Sequence, residues 1–86
     1  MEVLAGKVIS FYRKIGVASI KVSGSLEAGN SIHIKGRTTD FDQKVRSMQI
    51  AHQQVDKADA GDIAGLKVDD YVRKNDCIYR IEEQDK

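Results

Sequence analysis

Apolar and polar residues alternate along several short segments of the chain. In "VASIKVS", residues 17–23, Ala18, Ile20 and Val22 fall on one side and polar residues on the other. A period of two residues is typical of a half-buried β-strand. We predict further strands in "VLAGKVISFY" (3–12), "SIHIK" (31–35), "GDIAGLKV" (61–68) and "CIYRIE" (77–82). The pattern therefore favours a protein built from short strands.

Residues 39–58 allow two interpretations. A helical spacing relates five positions, and a capping box beginning at Thr39 would start an amphipathic helix there. These positions are Phe41, Val45, Met48, His52 and Val55. The alternative is a strand over 44–50, with an irregularity near Ser47, followed by a short strand near residue 55. The apolar pattern alone does not decide between them.

Three turns share one pattern. In "EAGN", "DAGD" and "RKND", Gly or Asn precedes Asn or Asp, and an apolar strand follows. Gly and Asn tolerate positive φ, and Asn or Asp side chains can bond the backbone of a turn. We therefore predict structural turns with positive φ at Gly29, Gly61 and Asn75. Turns that lead into short strands favour an all-β barrel or sandwich.

The segment "GSLEAGNS", residues 24–31, resembles a phosphate-binding loop at its glycines and its final serine. Asn30 occupies the position of the lysine that would reach the β and γ phosphates. A strand pattern follows, whereas a phosphate loop leads into a helix whose N-terminus faces the anion. We therefore predict no nucleotide binding here, with Leu26 tucked under a turn.

Composition and charge constrain the domain count, the kind of partner and the cellular compartment. The 86 residues carry 14 Lys and Arg against 13 Asp and Glu, a formal net charge of +1. We predict a single β domain over residues 1–86, in which any electrostatic partner is bound by a local patch. A lone cysteine, no secretory N-terminus and no long apolar run indicate a cytoplasmic protein without a membrane partner.

Catalytic and metal-binding patterns are weak. His33, His52 and Cys77 stand far apart in the sequence and form no paired ligand motif. Asp40 and Asp42 flank Phe41 in a polar segment and are expected to be solvated turn acids. Cys77 opens an apolar strand and is expected to be structural. We predict no catalytic residue, metal or cofactor, and hence a protein that is not an enzyme.

Several segments together resemble the second domain of translation GTPases such as elongation factor Tu. The resemblance is carried by "GVASIKVSGSLEAGNSIHIKG", "VRSMQI", "VDKADAGDIAGLKV" and "VRKNDCIY", which span residues 5 to 81. The sequence resembles small stand-alone elongation-factor-like proteins more closely still. It implies an all-β, closed Greek-key β-barrel with strands in residues 39–58. No G domain or phosphate loop accompanies it, so GTP hydrolysis is not implied. A related barrel occurs as an accessory domain in some peptidases.

Two groups of basic residues are candidate RNA contacts. If strands 31–36 and 44–50 pair across "GRTTDFD", Lys35 lies opposite Lys44 and His33 opposite Arg46. Like charges that face each other in a sheet are destabilising, which favours a phosphate partner. A second group follows Phe11 and Tyr12, and aromatic residues beside cations can stack on RNA. The candidate residues are Lys35, Arg37, Lys44, Arg46, Arg13 and Lys14.

Two functions are therefore expected from the sequence. The first is a non-enzymatic binding module associated with RNA or the ribosome, as the resemblance to translation factors implies. The alternative is a protein–protein docking module for a partner enzyme. Salt dependence separates them, because phosphate binding weakens steeply with salt and an apolar interface does not.

Overall fold

The computed structural model describes residues 2–82, which form an all-β fold with no helix in that range. The strands are β1 (Glu2–Tyr12), β2 (Val17–Val22), β3 (Leu26–Glu27), β4 (Ser31–Lys35), β5 (Asp40–Lys44), β6 (Met48–Ile50), β7 (Gln53–Val55), β8 (Lys57–Ala58), β9 (Ile63–Lys67) and β10 (Cys77–Ile81). The all-β class expected from the alternating pattern is thus confirmed.

Eight strands form one antiparallel sheet in the order β5-β4-β10-β1-β2-β9-β6-β7, and β3 pairs with β8 separately. The edge strands β5 and β7 are not paired with each other, so the expected closed barrel is wrong. A side chain links the edge strand β5 to the C-terminal end of β9. The Gln43 amide donates to the carbonyl of Lys67 at 2.9 Å and accepts from the Asp69 N–H at 2.8 Å.

The core lies on one face of the curved sheet. Ala18, Ile20 and Val22 are buried, as their alternation predicts, and Leu26 is buried beneath its turn. The largest side chains that are fully buried are Ile20, Leu26, Ile32, Ile34, Met48, Leu66, Ile78, Val8 and Val22. Each such aliphatic side chain contributes about 1.5–3 kcal/mol when it leaves water.

Residues 39–58 contain four strands, so the helical interpretation is wrong and the strand interpretation holds. Their bounds differ from the expected ones, because β5 begins at Asp40 inside the predicted loop. After β5 the chain leaves the sheet at Val45, whose N–H donates to the Asn30 carbonyl at 2.8 Å. The Val45 carbonyl accepts from the Gly29 N–H at 2.8 Å. The edge strand therefore ends against a turn.

The three strand-entry turns have the same construction. Gly29, Gly61 and Asn75 have φ of 94°, 96° and 77°, the positive values expected from the turn pattern. In each turn a side-chain oxygen accepts from a backbone N–H three residues earlier at 2.8 Å. The donor and acceptor pairs are Glu27 with Asn30, Asp59 with Asp62, and Arg73 with Asp76.

Candidate docking and binding surfaces

The expected cluster of like charges on strands β4 and β5 does not form. Lys35 pairs in register with Asp40, His33 with Asp42, and Ser31 with Lys44. The Gly36 N–H donates to the Thr39 carbonyl at 2.7 Å. This tight turn starts β5 four residues earlier than expected. The predicted register was therefore wrong, and Lys35 faces an opposite charge, which stabilises the pair of strands.

Arg46 is also removed from the predicted group. Its guanidinium makes two hydrogen bonds to the Asp69 carboxylate, one of them 2.9 Å from Nη2 to Oδ2. Arg37 lies exposed in the turn that leads into β5, and Lys44 lies exposed at the end of β5. The four candidates on this side of the molecule therefore share no common patch.

A cluster around His33 was missed by the sequence analysis. The His33 Nδ1 lies 2.7 Å from Glu2 Oε2 and its Nε2 lies 2.5 Å from Asp40 Oδ1. Asp42 stands 3.9 Å from Nε2. The hydrogen bond to Asp40, followed in size by the one to Glu2, raises the pKa of His33 above its usual value. Partial burial acts in the opposite direction and lowers it. The same hydrogen bond lowers the pKa of Asp40.

No local signal marks this cluster in the sequence. Glu2 and His33 are 31 residues apart, and they meet because β10 pairs with both β1 and β4. The side chain of His33 is only 16% exposed, although it alternates along β4 with the buried Ile32 and Ile34. Its position on the edge side of the sheet ties the beginning of β1 to β5.

The remaining candidates, Arg13 and Lys14, line a basic–aromatic cleft made of two adjoining hollows of about 240 and 490 Å³, and Lys14 lines only the larger one. The rings of Phe11 and Tyr71 pack 5.8 Å apart at an angle of 60°. The Arg13 guanidinium lies 5.3 Å from the centre of the Tyr71 ring, and its Nη2 donates to the Tyr71 hydroxyl at 3.3 Å. We define the cleft by Phe11, Arg13, Lys14, Tyr71, Val72 and Arg73.

A second concave surface, the outer-face hollow, lies on the side of the sheet that faces away from the core. The surface is concave because Ser19 and Gly65, which pair across β2 and β9 at its floor, carry little bulk. Tyr12, Ile15 and Ile63 stand around it and are 54%, 60% and 47% exposed. The hollow has a volume of about 470 Å³. Its remaining lining residues are Val17, Gln49, Ala51, His52 and Ala64.

One rim of the outer-face hollow is a strained turn. Ala51 and His52 join β6 to β7 and have φ of 53° and 66°. Ile50 pairs with Gln53, so the connection is a two-residue hairpin loop. Such loops favour Asn-Gly or Gly-Gly, and positive φ costs a residue with a Cβ about 1–2 kcal/mol. Strain of this kind often accompanies functional surfaces.

Within residues 2–82, no group of three or more His, Cys, Asp and Glu side chains is arranged to hold a metal ion. No helix in that part of the chain is long and apolar enough to cross a membrane.

Comparison with known proteins gives an unexpected set of relatives. The chain is 39% identical over 79 residues to an uncharacterized protease of Methanocaldococcus jannaschii, covering 91% of this chain and 19% of that protein. It is 34% identical over 86 residues to a collagenase of Porphyromonas gingivalis, covering 98% of this chain and 21% of the collagenase. The chain thus spans about a fifth of the length of these curated relatives. No family model matches it.

The fold has a close counterpart among solved structures. The C-terminal domain of a Geobacillus thermoleovorans protein assigned to the U32 peptidases superposes with a TM-score of 0.87 at 17% identity. The superposition covers 92% of both chains. A selenomethionine variant of that domain gives a TM-score of 0.85 at 18% identity.

These comparisons correct the functional expectations. The resemblance to translation GTPases was wrong as an assignment, because the relatives are named protease and collagenase. A role with RNA or the ribosome is therefore not supported. The expectation that the chain is not an enzyme is overturned by the same names. The error arose because the matched positions were turn and core residues, which specify a β fold and carry no function. The relatives of this chain are peptidases, and its fold is that of a U32 peptidase C-terminal domain.

Proposed function

We propose that residues 1–86 form one accessory domain of a U32-type peptidase, and that the outer-face hollow docks this domain against the rest of the enzyme. The chain matches only about a fifth of its curated relatives, so a much larger part of such a peptidase lies beyond the match. This larger part is the partner to which the proposal commits. The docking role expected as the alternative from the sequence is thereby retained and given a partner.

The observation that carries the proposal is the exposure of Tyr12, Ile15 and Ile63 around one hollow. Strand alternation ordinarily places polar residues on the outer face of a sheet. Here apolar side chains stand around a floor of Ser19 and Gly65. Burying an exposed isoleucine contributes about 1.5–3 kcal/mol, and a central tyrosine is a common interface anchor. This surface is therefore suited to a protein partner.

The strained turn supports the same surface. Ala51 and His52 line the rim of the hollow and hold positive φ without a glycine. Replacing them by glycine would relax the backbone but would remove side chains from the rim. Strain retained at a rim is expected where the rim shape serves a contact.

The experiment supplies this chain in trans to a relative from which the matching segment has been deleted. The Porphyromonas gingivalis collagenase is suitable, and isothermal titration calorimetry measures the dissociation constant. We expect Ile63→Lys to weaken binding by about 30-fold, because it removes a buried apolar contact and adds a charge. Peptidase activity with and without the added chain measures whether docking affects catalysis.

The matched control is Leu4→Lys. Leu4 is 50% exposed on β1 but lies outside the hollow, so the same chemical change should leave docking within about two-fold. Equal losses in Ile63→Lys and Leu4→Lys would show that the hollow is not the docking surface. Absence of binding by the unaltered chain would overturn the proposed function.

A further inference from the structure

We propose that the basic–aromatic cleft binds a carboxylate-bearing peptide segment, either at a peptide's C-terminus or through an Asp or Glu side chain. The cleft combines exposed cations with an aromatic wall and an apolar floor. This site is separate from the outer-face hollow and goes beyond docking.

The charges of the cleft are the first argument. Arg13, Lys14 and Arg73 line it, and no carboxylate is among its lining residues. In the described part of the chain none of these three cations makes an ion pair. The Asp70 carboxylate, which is nearby in sequence, accepts from the Tyr71 N–H at 2.7 Å. The cleft therefore carries a local positive charge that attracts an anion.

Within residues 2–82, three Lys and Arg cations outside the cleft make ion pairs, whereas others, such as Lys7, Lys21 and Lys44, do not. Arg46 is bound by Asp69, Arg80 lies 2.7 Å from Glu82, and Lys57 lies 3.9 Å from Asp59. What distinguishes the cleft is that three cations gather in its lining with no carboxylate among them, which concentrates positive charge there.

Geometry is the second argument. The Arg13 guanidinium is held over the Tyr71 ring and bonded to the Tyr71 hydroxyl, and Phe11 packs against the same ring at a tilt. A stacked guanidinium is preorganised, and its planar fork matches a carboxylate in a bidentate arrangement. Tyr71 is nonetheless 62% exposed, so the stack stands open to a ligand.

The shape of the cleft indicates a peptide. Phe11 and the buried Val72 form an apolar surface beneath the cations. The hollow of about 240 Å³ beside Val72 and Arg73 accommodates a carboxylate with one or two adjoining side chains. A peptide offers that combination of an anion beside an apolar group. An inorganic anion would leave the aromatic surface unused.

The cleft and the hollow are reached from opposite faces of β1. Phe11 and Tyr12 are consecutive in this strand, and consecutive side chains point to opposite sides of a sheet. Phe11 packs against the core and lines the cleft, whereas Tyr12 lines the hollow. The two surfaces can therefore be occupied at once and tested separately.

Fluorescence anisotropy with three short labelled peptides tests the proposal on the full chain. The first ends in leucine with a free carboxylate, the second is its C-terminal amide, and the third is an amide with internal Asp residues. We expect binding of the first, the third or both, but not of the second. Arg13→Gln should weaken that binding by about ten-fold, as loss of a charged hydrogen bond does.

Two further variants keep the test decisive. Tyr71→Phe retains the ring and removes the hydroxyl that holds Arg13, so a loss of about three-fold is expected. Lys35→Gln removes an exposed cation that lies away from the cleft and should leave binding unchanged. Circular dichroism confirms that each variant is folded.

Each outcome of these measurements either identifies the ligand or overturns the proposal. Preference for the free carboxylate over the amide assigns a C-terminal ligand, and binding of the third peptide assigns an acidic side chain. Equal binding of the amide, no binding of any peptide, or equal loss in Lys35→Gln would overturn the proposal. Displacement of a bound peptide by an oligonucleotide but not by free acidic peptide would also overturn it, because the site would then prefer phosphate.

Discussion

The outer-face hollow and the basic–aromatic cleft begin at adjacent residues of one strand and differ in nearly every physical property. The hollow has apolar walls, a floor of small residues and a strained rim. The cleft has a tilted pair of aromatic rings and three cations without ion pairs in residues 2–82. Apolar burial gives strength that salt hardly affects, whereas exposed charge gives a preference for anions that salt screens. Because of this difference, we propose docking at the hollow and selection of an anionic ligand at the cleft.

The largest expected effect is that each of two variants weakens binding at one surface and leaves binding at the other unchanged. Ile63→Lys should weaken docking by about 30-fold and leave carboxylate peptide binding unchanged, whereas Arg13→Gln should do the reverse with a loss of about ten-fold. Calorimetry with the peptidase and anisotropy with the peptide measure the two constants. If either variant weakens both interactions equally, the two surfaces are one site.

The dependence of binding on salt concentration also distinguishes the two surfaces. Raising the ionic strength from about 0.05 M to about 0.5 M shortens the screening length severalfold. We expect peptide binding to weaken by about five-fold and docking to change by less than about two-fold. A docking constant that falls with the peptide constant would show that charge, not apolar burial, holds the partner.

Filling the hollow should give a loss of about ten-fold in docking. A Cβ at Gly65 would lie 3.5 Å from Val17 Cγ1 and 3.9 Å from the Gln49 carbonyl, which are ordinary contacts. Gly65→Leu therefore places a side chain on the floor with no clash at its Cβ, and we expect the unfolding midpoint in urea to stay close to that of the unaltered chain. Retained docking would show that the partner does not enter the hollow.

Relaxing the strained rim separates stability from shape. Ala51→Asn together with His52→Gly supplies the residues that a two-residue hairpin with positive φ prefers. We expect the free energy of unfolding to rise by about 1 kcal/mol and docking to weaken by about three-fold, because the rim loses the His52 side chain. Urea denaturation and calorimetry measure the two. If the free energy of unfolding and the affinity for the peptidase both increase, the strain has no part in docking.

The smallest effect concerns the His33 cluster, which belongs to neither surface. Its raised pKa means that the native state holds a proton more tightly than the unfolded chain does. The resulting stability is fully present below the usual pKa of 6.5 and is lost as pH rises through the raised native value. His33→Gln should therefore destabilise more at about pH 6 than at about pH 8.5, while docking stays unchanged. A loss that does not vary with pH would show that His33 acts only by packing.

Local patterns in the sequence were sufficient for the strands and turns. Alternation located Ala18, Ile20 and Val22 in the core, and the turn pattern located the positive φ at Gly29 and Gly61. Both depend on neighbours within a few residues, so no knowledge of the rest of the fold was needed. The edge of the sheet was different, because β5 begins at Asp40 through a tight turn that the polar sequence does not reveal.

The candidate surfaces were only partly predictable. Arg13 and Lys14 were recognised as cations beside aromatic residues, but Tyr71, which completes the cleft, lies 58 residues from Arg13. The hollow was not foreseen, because alternation with Ala64 and Leu66 places Ile63 on the outer face but does not show that Tyr12 and Ile15 stand beside it. Its exposure follows from the register that pairs it with Lys21 on the outer face.

The sequence by itself determined the class of the fold, because side-chain alternation and backbone preference act over a few residues. Tertiary structure alone decided which residues meet. The open sheet, the pairing of Lys35 with Asp40 and the approach of Tyr71 to Arg13 all depend on strand register and order. Register changes the partner of every side chain while leaving the local pattern the same. That is why the predicted β fold held, whereas the predicted basic cluster and its RNA partner did not.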